Sequence, residues 1–483
     1  MRTCSSTCTA TRDPPRSRGI GRRRSRRRAM TISGRCPRTI SGRCPRSATV
    51  SSTRRVHPRA PITCMQHHIG ILSGNAVDAP RGGRKEGHDM PQVSQRAAEA
   101  LYPSVREMFE LAAHVPDAVS FAIGEPGFDT PQPVIDAAYR AASLGDTHYT
   151  PNRGAAALRE AWCEHRNTAD GTDYDPDTDV IVTAGGMEAV YLAMLATLDP
   201  GDDILIPDPG YANYFGQVRL VGANVVPVPL DAGHGFRMQA ADVEAAVTPR
   251  TRAILLNSPS NPTGAVIDAE QLDLIAEVCE RHDLWVISDE VYRSFVYDPS
   301  VECLSIAAVP GMRRRTVVVD SFSKTFAMTG WRIGAAFGPK PIIDRMTVMQ
   351  EDIVSCVPGA LQTGAVAALE GSNEILDEMT AVYRKNRDMV VAAVEGMPMV
   401  SCATPDGAFY VLVDVRGTGM DDHAFAVDLL ERAKVVVTPA SGFGDRGRGY
   451  VRLSYVGTPE ATAEGLRRMR AYLEGYSSAT SSR

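Results

Sequence analysis

Lys324 is the single lysine in the run Ser321-Phe-Ser-Lys-Thr-Phe-Ala-Met-Thr-Gly-Trp-Arg-Ile-Gly334, with Arg332 eight positions downstream of it. A protonated amine is no nucleophile, so a lysine that is to condense with an aldehyde must be partly desolvated or held near other cations. Small and hydroxyl neighbours suit that need. Ser321, Ser323 and Arg332 together can hold a dianionic phosphate, the arginine as a planar fork and the hydroxyls as neutral donors. Taken alone, the same pattern also describes an ordinary surface turn, so the rest of the chain has to decide.

Four more stretches carry candidate chemistry. Asn257-Ser-Pro-Ser-Asn-Pro-Thr-Gly264 is too rich in turn formers to continue a strand, and Asn261 before Pro262 invites a cis bond or a rigid turn. Asp289 and Tyr292 follow the apolar run Leu284–Ser288. Gly185-Gly186 follows a β-branched run and opens a helical stretch, which leaves free N–H groups at a helix start for an anion, or simply makes a tight turn. Arg452 sits inside Tyr450–Ser454. Singly, Asp289 also reads as a helix cap, Tyr211 and Tyr292 as core aromatics, and Arg452 as half of a surface ion pair.

The elements that must position these residues alternate. Short apolar strands are expected at Asp179–Thr183, Asp203–Pro207, Asn224–Val228, Ala253–Leu256, Leu284–Ser288 and Thr316–Asp320, with helices between them. Those helices include Ala155–His165, Gly186–Leu195 and one running to His282 from a capping box of Asp268 and Gln271. Near-continuous apolar strands separated by helices imply an α/β fold with a mostly parallel sheet covered on both faces. Ligands of such sheets sit at the carboxyl ends of the strands, where Gly185, Tyr211, Asn261, Asp289 and Lys324 all fall. Upstream, a helical pattern over Ser94–Ala113 breaks at Pro103, an extended run covers Ala118–Ile123, and Pro133–Ser143 is helical. Beyond Pro339 come helices at Ile342–Ile353, Gly359–Leu369 and Asn373–Val394. A smaller α/β unit follows, with strands at Phe409–Val413, Val435–Val437 and Tyr450–Ser454 and helices at Asp421–Arg432 and from Pro459.

Composition divides the 483 residues sharply. Residues 1–90 carry 19 Arg and 1 Lys against 4 acidic residues, while the remainder holds 32 basic against 53 acidic residues. The leading segment contains a tandem octapeptide, TISGRCPR at Thr31–Arg38 and again at Thr39–Arg46, and has too little apolar surface to offset its ordering entropy. It is expected to be disordered, dispensable sequence ahead of a start at Met90 or Met65; a transit peptide or a nonspecific nucleic-acid tail are the other readings. Five of the ten cysteines (Cys4, Cys8, Cys36, Cys44, Cys64) lie there, and the rest are scattered without Cys-x-x-Cys spacing, so free thiols in a reducing, cytoplasmic setting are expected and a zinc site is not. No apolar stretch is long enough for a membrane span. The expected organisation is a tail over 1–90, an N-terminal segment over 91–131 packing on the small domain, a large domain over 132–385, a small domain over 386–478 and a short disordered tail over 479–483.

The motifs SFSKTFAMTGWRIG, NSPSNPTG, SDEVY, TAGGMEA and VRLSY, in this order and at these spacings, resemble those of fold type I pyridoxal-phosphate enzymes of the aspartate aminotransferase type, class I/II. The resemblance covers roughly residues 92–475. It implies a large domain with a seven-stranded-type, mostly parallel sheet plus a smaller α/β domain, and pyridoxal 5'-phosphate as cofactor. On that resemblance Lys324 carries the cofactor as a Schiff base and then moves the substrate's α-proton. Asp289 pairs with the ring nitrogen. Asn261 and Tyr292 hydrogen-bond the ring oxygen, and Tyr211, also counted among the catalytic residues, stacks on the ring. Gly185, Gly186, Met187, Ser321, Ser323 and Arg332 hold the phosphate. Arg452 grips the substrate α-carboxylate, with Gly124 and Asn261 beside it, and Tyr149 reaches the phosphate of a neighbouring subunit, which implies a homodimer with shared sites.

The implied reaction moves the amino group of an L-amino acid to a 2-oxo acid in a ping-pong cycle. A carbon–sulfur β-lyase or an aminocyclopropane-synthase-type enzyme would use the same scaffold. A DNA-binding regulator is disfavoured because residues 1–90 show no helix-turn-helix pattern, and a catalytically dead module because the lysine is intact. Neither a specific nucleic acid nor a membrane is expected as partner. Arg106 reads either as a contact for a distal substrate carboxylate or, preferably, as a helix ion pair with Glu110.

Overall fold

The computed structural model describes residues 93–98, 100 and 104–481. The expectations for residues 1–90 and for a break at Pro103 lie outside the described residues. Seven strands form the main sheet: β1 (Val180–Thr183), β2 (Asp203–Asp208), β3 (Asn224–Pro229), β4 (Thr251–Asn257), β5 (Trp285–Asp289), β6 (Thr316–Ser321) and β7 (Gly334–Phe337). Their spatial order is β1-β7-β6-β5-β4-β2-β3. The strands from β3 to β6 pair in parallel, and β7 runs antiparallel to both β6 and β1. The sheet is therefore α/β and mostly parallel, as the alternating pattern implies. Strand β7 was not expected: Gly-Ala-Ala-Phe has no β-branched residue, and its place between β1 and β6, with all four residues buried, decides its conformation.

Side chains alternate across the sheet with period two. Ile287, Val317, Val319 and Ala336 pack with Ala189, Val190 and Tyr214 of the helices Gly186–Thr197 and Ala212–Val221. Val318, Phe322, Ala335 and Phe337 face the other way, onto Leu158 and Trp162 of the helix Ala156–Asp170. That helix runs five residues beyond its expected end and stops at Gly171, whose φ of 65° suits a helix terminus. Arg166, the first residue past that expected end, is 1% exposed because it has charged partners inside.

The second sheet is antiparallel, in the order Thr438–Pro439, Tyr450–Ser454, Tyr410–Asp414, Ser401–Cys402. The expected strand Val435–Val437 splits at Val437: its first half pairs in parallel with Val119–Ser120, the short remnant of the extended run expected over 118–123. The final helix, Pro459–Ser481, continues into the stretch read as a tail. The expected capping box is one-sided, with Asp268 accepting from Gln271 N at 2.9 Å while the Gln271 side chain accepts from Ala240 N.

Gly334 is where β7 passes the turn before the helix Gly186–Thr197: a Cβ there would lie 2.4 Å from Gly185 C and 2.5 Å from Gly186 N. Backbone cannot yield as a side chain can, so Gly334→Ala is expected to destabilise the fold by roughly 1–3 kcal/mol. Gly216, exposed inside the helix Ala212–Val221 with nothing within 4 Å of an added Cβ, gives the opposite sign. Gly216→Ala should stabilise by about 0.5–1 kcal/mol. Urea unfolding midpoints check both.

Candidate active site

The ends of β5 and β6 and the start of the helix Gly186–Thr197 open onto a cavity of about 740 Å³. Of the residues singled out in the sequence, Gly124, Gly186, Met187, Tyr211, Asn261, Asp289, Tyr292, Ser321, Ser323, Lys324, Arg332 and Arg452 all line it. Two do not. Gly185 backs the wall, where a Cβ would meet Arg332 Nη2 at 2.5 Å and a φ of 84° already suits glycine. Tyr149 is 90% exposed on the outer surface. Arg106 and Glu110 of the helix Ser104–Ala112 also line the cavity.

Lys324 sits on a one-turn helix whose N-cap is Ser321. The Ser321 hydroxyl accepts from Ser323 N, donates to Ile333 O at 3.1 Å and lies 2.9 Å from the Ser323 hydroxyl, which can donate to it. Lys324 Nζ donates to Gly124 O at 2.7 Å and lies 5.8 Å from the ring centres of Tyr292 and Phe409. Burial pulls its pKa down to about 8; the Glu125 carboxylate opposes this, while the Arg452 and Arg332 guanidiniums reinforce it.

Asp289 is buried at the end of β5, where its Oδ2 accepts from the Tyr214 hydroxyl at 2.6 Å. Burial pushes its pKa up to about 6 against the Tyr214 and Val291 N–H hydrogen bonds that favour the anion. It forms no ion pair among the described residues. Asn261 is fixed by its N–H to Asn257 Oδ1 at 2.8 Å and precedes a cis Asn261-Pro262 bond. Its Oδ1 accepts from Arg452 Nη1 at 3.1 Å.

Arg452, in the second sheet, is 2% exposed. Its guanidinium lies between the rings of Tyr410 and Phe443, 4.6 and 4.9 Å from their centres, and Nη2 donates to Ala122 O. Nε has no hydrogen-bond partner and no carboxylate pairs with the group among the described residues. Burial lowers its pKa; the neighbouring tyrosines oppose this. Arg332 has a φ of 55°, donates from Nη1 to Thr329 O at 3.0 Å and from Nη2 to Ala184 O at 3.5 Å, and is exposed on the cavity.

Sequence reasoning missed Tyr410 and Tyr214. Tyr410 links the site's two halves, its hydroxyl 3.0 Å from that of Tyr292 and donating to Gly124 O at 3.3 Å. It sits in a run, Phe409–Val413, that reads as core strand. Tyr214 lies three residues after Tyr211, so its place on the same turn of helix was the available signal.

The set can hold a dianion at the helix start and on Ser321, Ser323 and Arg332, a carboxylate at Arg452, and a protonated nitrogen at Asp289, all within reach of one reactive amine. A sheet of this topology with a lysine after its sixth strand defines an α/β transferase of fold type I, and solved structures agree. The chain belongs to the family described as aminotransferase class I and II, whose model matches residues 116–469. It is 40% identical over 376 residues to the putative aminotransferase YugH of Bacillus subtilis, covering 78% of this chain and 97% of that one. It is 38% identical over 385 residues to an aspartate aminotransferase of Pyrococcus horikoshii, covering 79% and 97%. The crystal structure of an aromatic aminotransferase from Pyrococcus horikoshii superposes with a TM-score of 0.73 at 39% identity, over 77% of this chain and 99% of that one. The protein is an aminotransferase: it transfers an amino group between an amino acid and a 2-oxo acid, and its family uses pyridoxal phosphate.

The lowered pKa of Lys324 has a kinetic consequence. Its neutral, nucleophilic form dominates above about pH 8 in the fold, but only above 10.5 for an ordinary lysine. Condensation of the apoprotein with pyridoxal should therefore rise with pH and reach half its plateau near pH 8. Stopped-flow absorbance measures this, and a midpoint near that of free lysine would show that the amine is not perturbed.

Proposed function

We propose that this chain binds pyridoxal 5'-phosphate at Lys324 and performs its amino transfer there. The observation that carries the reading is a buried, carboxylate-free guanidinium, Arg452, in the same cavity as a lysine with a lowered pKa. Such a cation is costly unless an anion comes to it, and a substrate α-carboxylate meets that need in the bidentate geometry that a guanidinium offers. The cofactor, when bound, supplies the aldehyde that captures the amino group and a ring that accepts the electrons of the broken C–H bond.

The chain's own groups do the rest. Lys324 Nζ, once free, takes the α-proton and returns it. Asp289, buried and already aligned by Tyr214, holds a ring nitrogen protonated; pairing with that cation brings its carboxyl back to the ionised form that burial opposes. Asn261 and Tyr292 are placed for the ring oxygen and Tyr211 for the ring face. The phosphate falls to the N–H groups of Gly186 and Met187, with Gly185 leaving room, and to Ser321, Ser323 and Arg332.

We further propose a homodimer in which Tyr149 completes the partner's site. Its support is exposure: Tyr139, Leu144 and Tyr149 are 75, 83 and 90% exposed on one stretch of chain, large side chains that a subunit contact would cover. A cytoplasmic setting is proposed from the five free cysteines among the described residues. The large domain is proposed over 132–385 and the small one over 386–478, with 91–131 packed on the latter, as the pairing of Val119–Ser120 with Val435–Val436 supports.

Purified protein is expected to show a visible absorption band that borohydride abolishes and that Lys324→Ala lacks. A donor-by-acceptor screen then names the substrates, and repeated turnover of a β-substituted amino acid to pyruvate and ammonia without any acceptor would favour a lyase. Arg452→Lys, which keeps the charge and loses the fork, should lower kcat/KM by about 10²-fold or more with the band intact. Sedimentation that finds only monomer would remove Tyr149 from the site.

A further inference from the structure

The largest charged cluster outside the cavity lies on the opposite face of the main sheet. Arg166, 1% exposed, reaches from the last turn of the helix Ala156–Asp170. Its Nη2 is 2.6 Å from Glu290 Oε2 and 2.9 Å from Asp170 Oδ2, and Nη1 is 3.7 Å from Asp320 Oδ2. Arg293 pairs with Asp170 and lies 3.8 Å from Glu290 Oε2. Ser288 and Ser305 donate to Glu290 Oε1, at 2.9 and 2.7 Å, and Trp162 Nε1 donates to Asp320 at 3.1 Å.

Position in sequence gives the cluster its meaning. Glu290 follows Asp289, and Asp320 precedes Ser321, the N-cap of the lysine turn. Strand alternation sends one member of each pair to the cavity and the other to Arg166. Backbone bonds carry the coupling: Glu290 N donates to Val319 O at 3.0 Å, and Asp320 Oδ1 accepts from Ser321 N at 2.7 Å.

We propose that Arg166 is a positioning residue of the active site, a clamp that holds Glu290 and Asp320 together and thereby fixes the two strand ends presenting Asp289 and Ser321 to the cofactor. The inference rests on the cofactor reading above. Two guanidiniums face three carboxylates in this cluster, a net single negative charge. Glu290 and Asp320 both raise the pKa of Asp289, so the balance at Arg166 also sets the field at the site. Burial pulls the Arg166 pKa down, but Glu290, Asp320 and Asp170 outweigh it, so the group stays charged.

The test uses the holoenzyme with Arg166→Met, Glu290→Gln and the double variant. The groups facing Lys324, namely Glu125, Arg452, Arg332, Asp289 and Tyr292, are the same in all of them. Arg166→Met adds net negative charge behind the two strand ends that present Asp289 and the lysine turn to the cavity. It should raise the pH midpoint of the visible band by on the order of half a unit, and Glu290→Gln should lower it, at the separations and effective dielectric typical of such sites. Arg166→Met should also weaken pyridoxal phosphate binding to the apoprotein at least about tenfold, the cost of releasing a strand end. The double variant, with the wild-type net charge, should return the midpoint toward the wild-type value. If Arg166→Met does not fold, its effect is read as the rise of the midpoint from Glu290→Gln to the double variant. Variants with a lower melting temperature but an unmoved midpoint and unchanged cofactor affinity would overturn the clamp and leave a structural role alone. A wild-type protein without the band would overturn the cofactor reading and this inference together.

Discussion

Strand alternation is the constraint on which the rest depends. A side chain on a strand has two directions available, and adjacent residues must take opposite ones. At the ends of β5 and β6 this rule places Asp289 and Ser321 on the cavity and Glu290 and Asp320 on the far face, four charged or polar residues in two adjacent pairs. Neither face can be apolar there. The cavity side tolerates its carboxylate because Tyr214 and a backbone N–H hydrogen-bond it, and the far side because Arg166 neutralises it. A shift of either strand by one residue would exchange the two sets and put unpaired charge in both places.

The apolar strands and the chemistry of the cavity were legible in the sequence for a shared reason: both are local. Strands β1 to β6 announce themselves as short β-branched runs, and the turn-rich stretches at Gly185, Asn261 and Lys324 fall at their carboxyl ends. Strand β7 was not legible, because Gly334–Phe337 has no β-branched residue and is held between β6 and the sequence-distant β1. Arg166 and Asp170 were hidden for the opposite reason. Nothing in the run Arg166–Asp170 marks either side chain as buried, and only the fold brings Glu290 and Arg293 to them. Tyr410 looked like core because it is core, 1% exposed, with only its hydroxyl turned to the site.

The cavity concentrates charge that the protein alone does not satisfy. Lys324 is pulled toward its neutral form, Asp289 toward its protonated form, and Arg452 is buried without a carboxylate. A shift of one pKa unit corresponds to about 1.4 kcal/mol between protonation states, so such a site works against the stability of the unliganded fold. The direction of each shift states what would relieve it: a carbonyl for the amine, a cation for Asp289 and a carboxylate for Arg452. A phosphorylated pyridine aldehyde and an amino acid would supply all three at once, and on the proposed reading they would also bring an anion to Arg332. The same groups that weaken the fold when alone therefore favour it when cofactor and substrate are bound, which ties the folding of the two strand ends to the chemistry they serve.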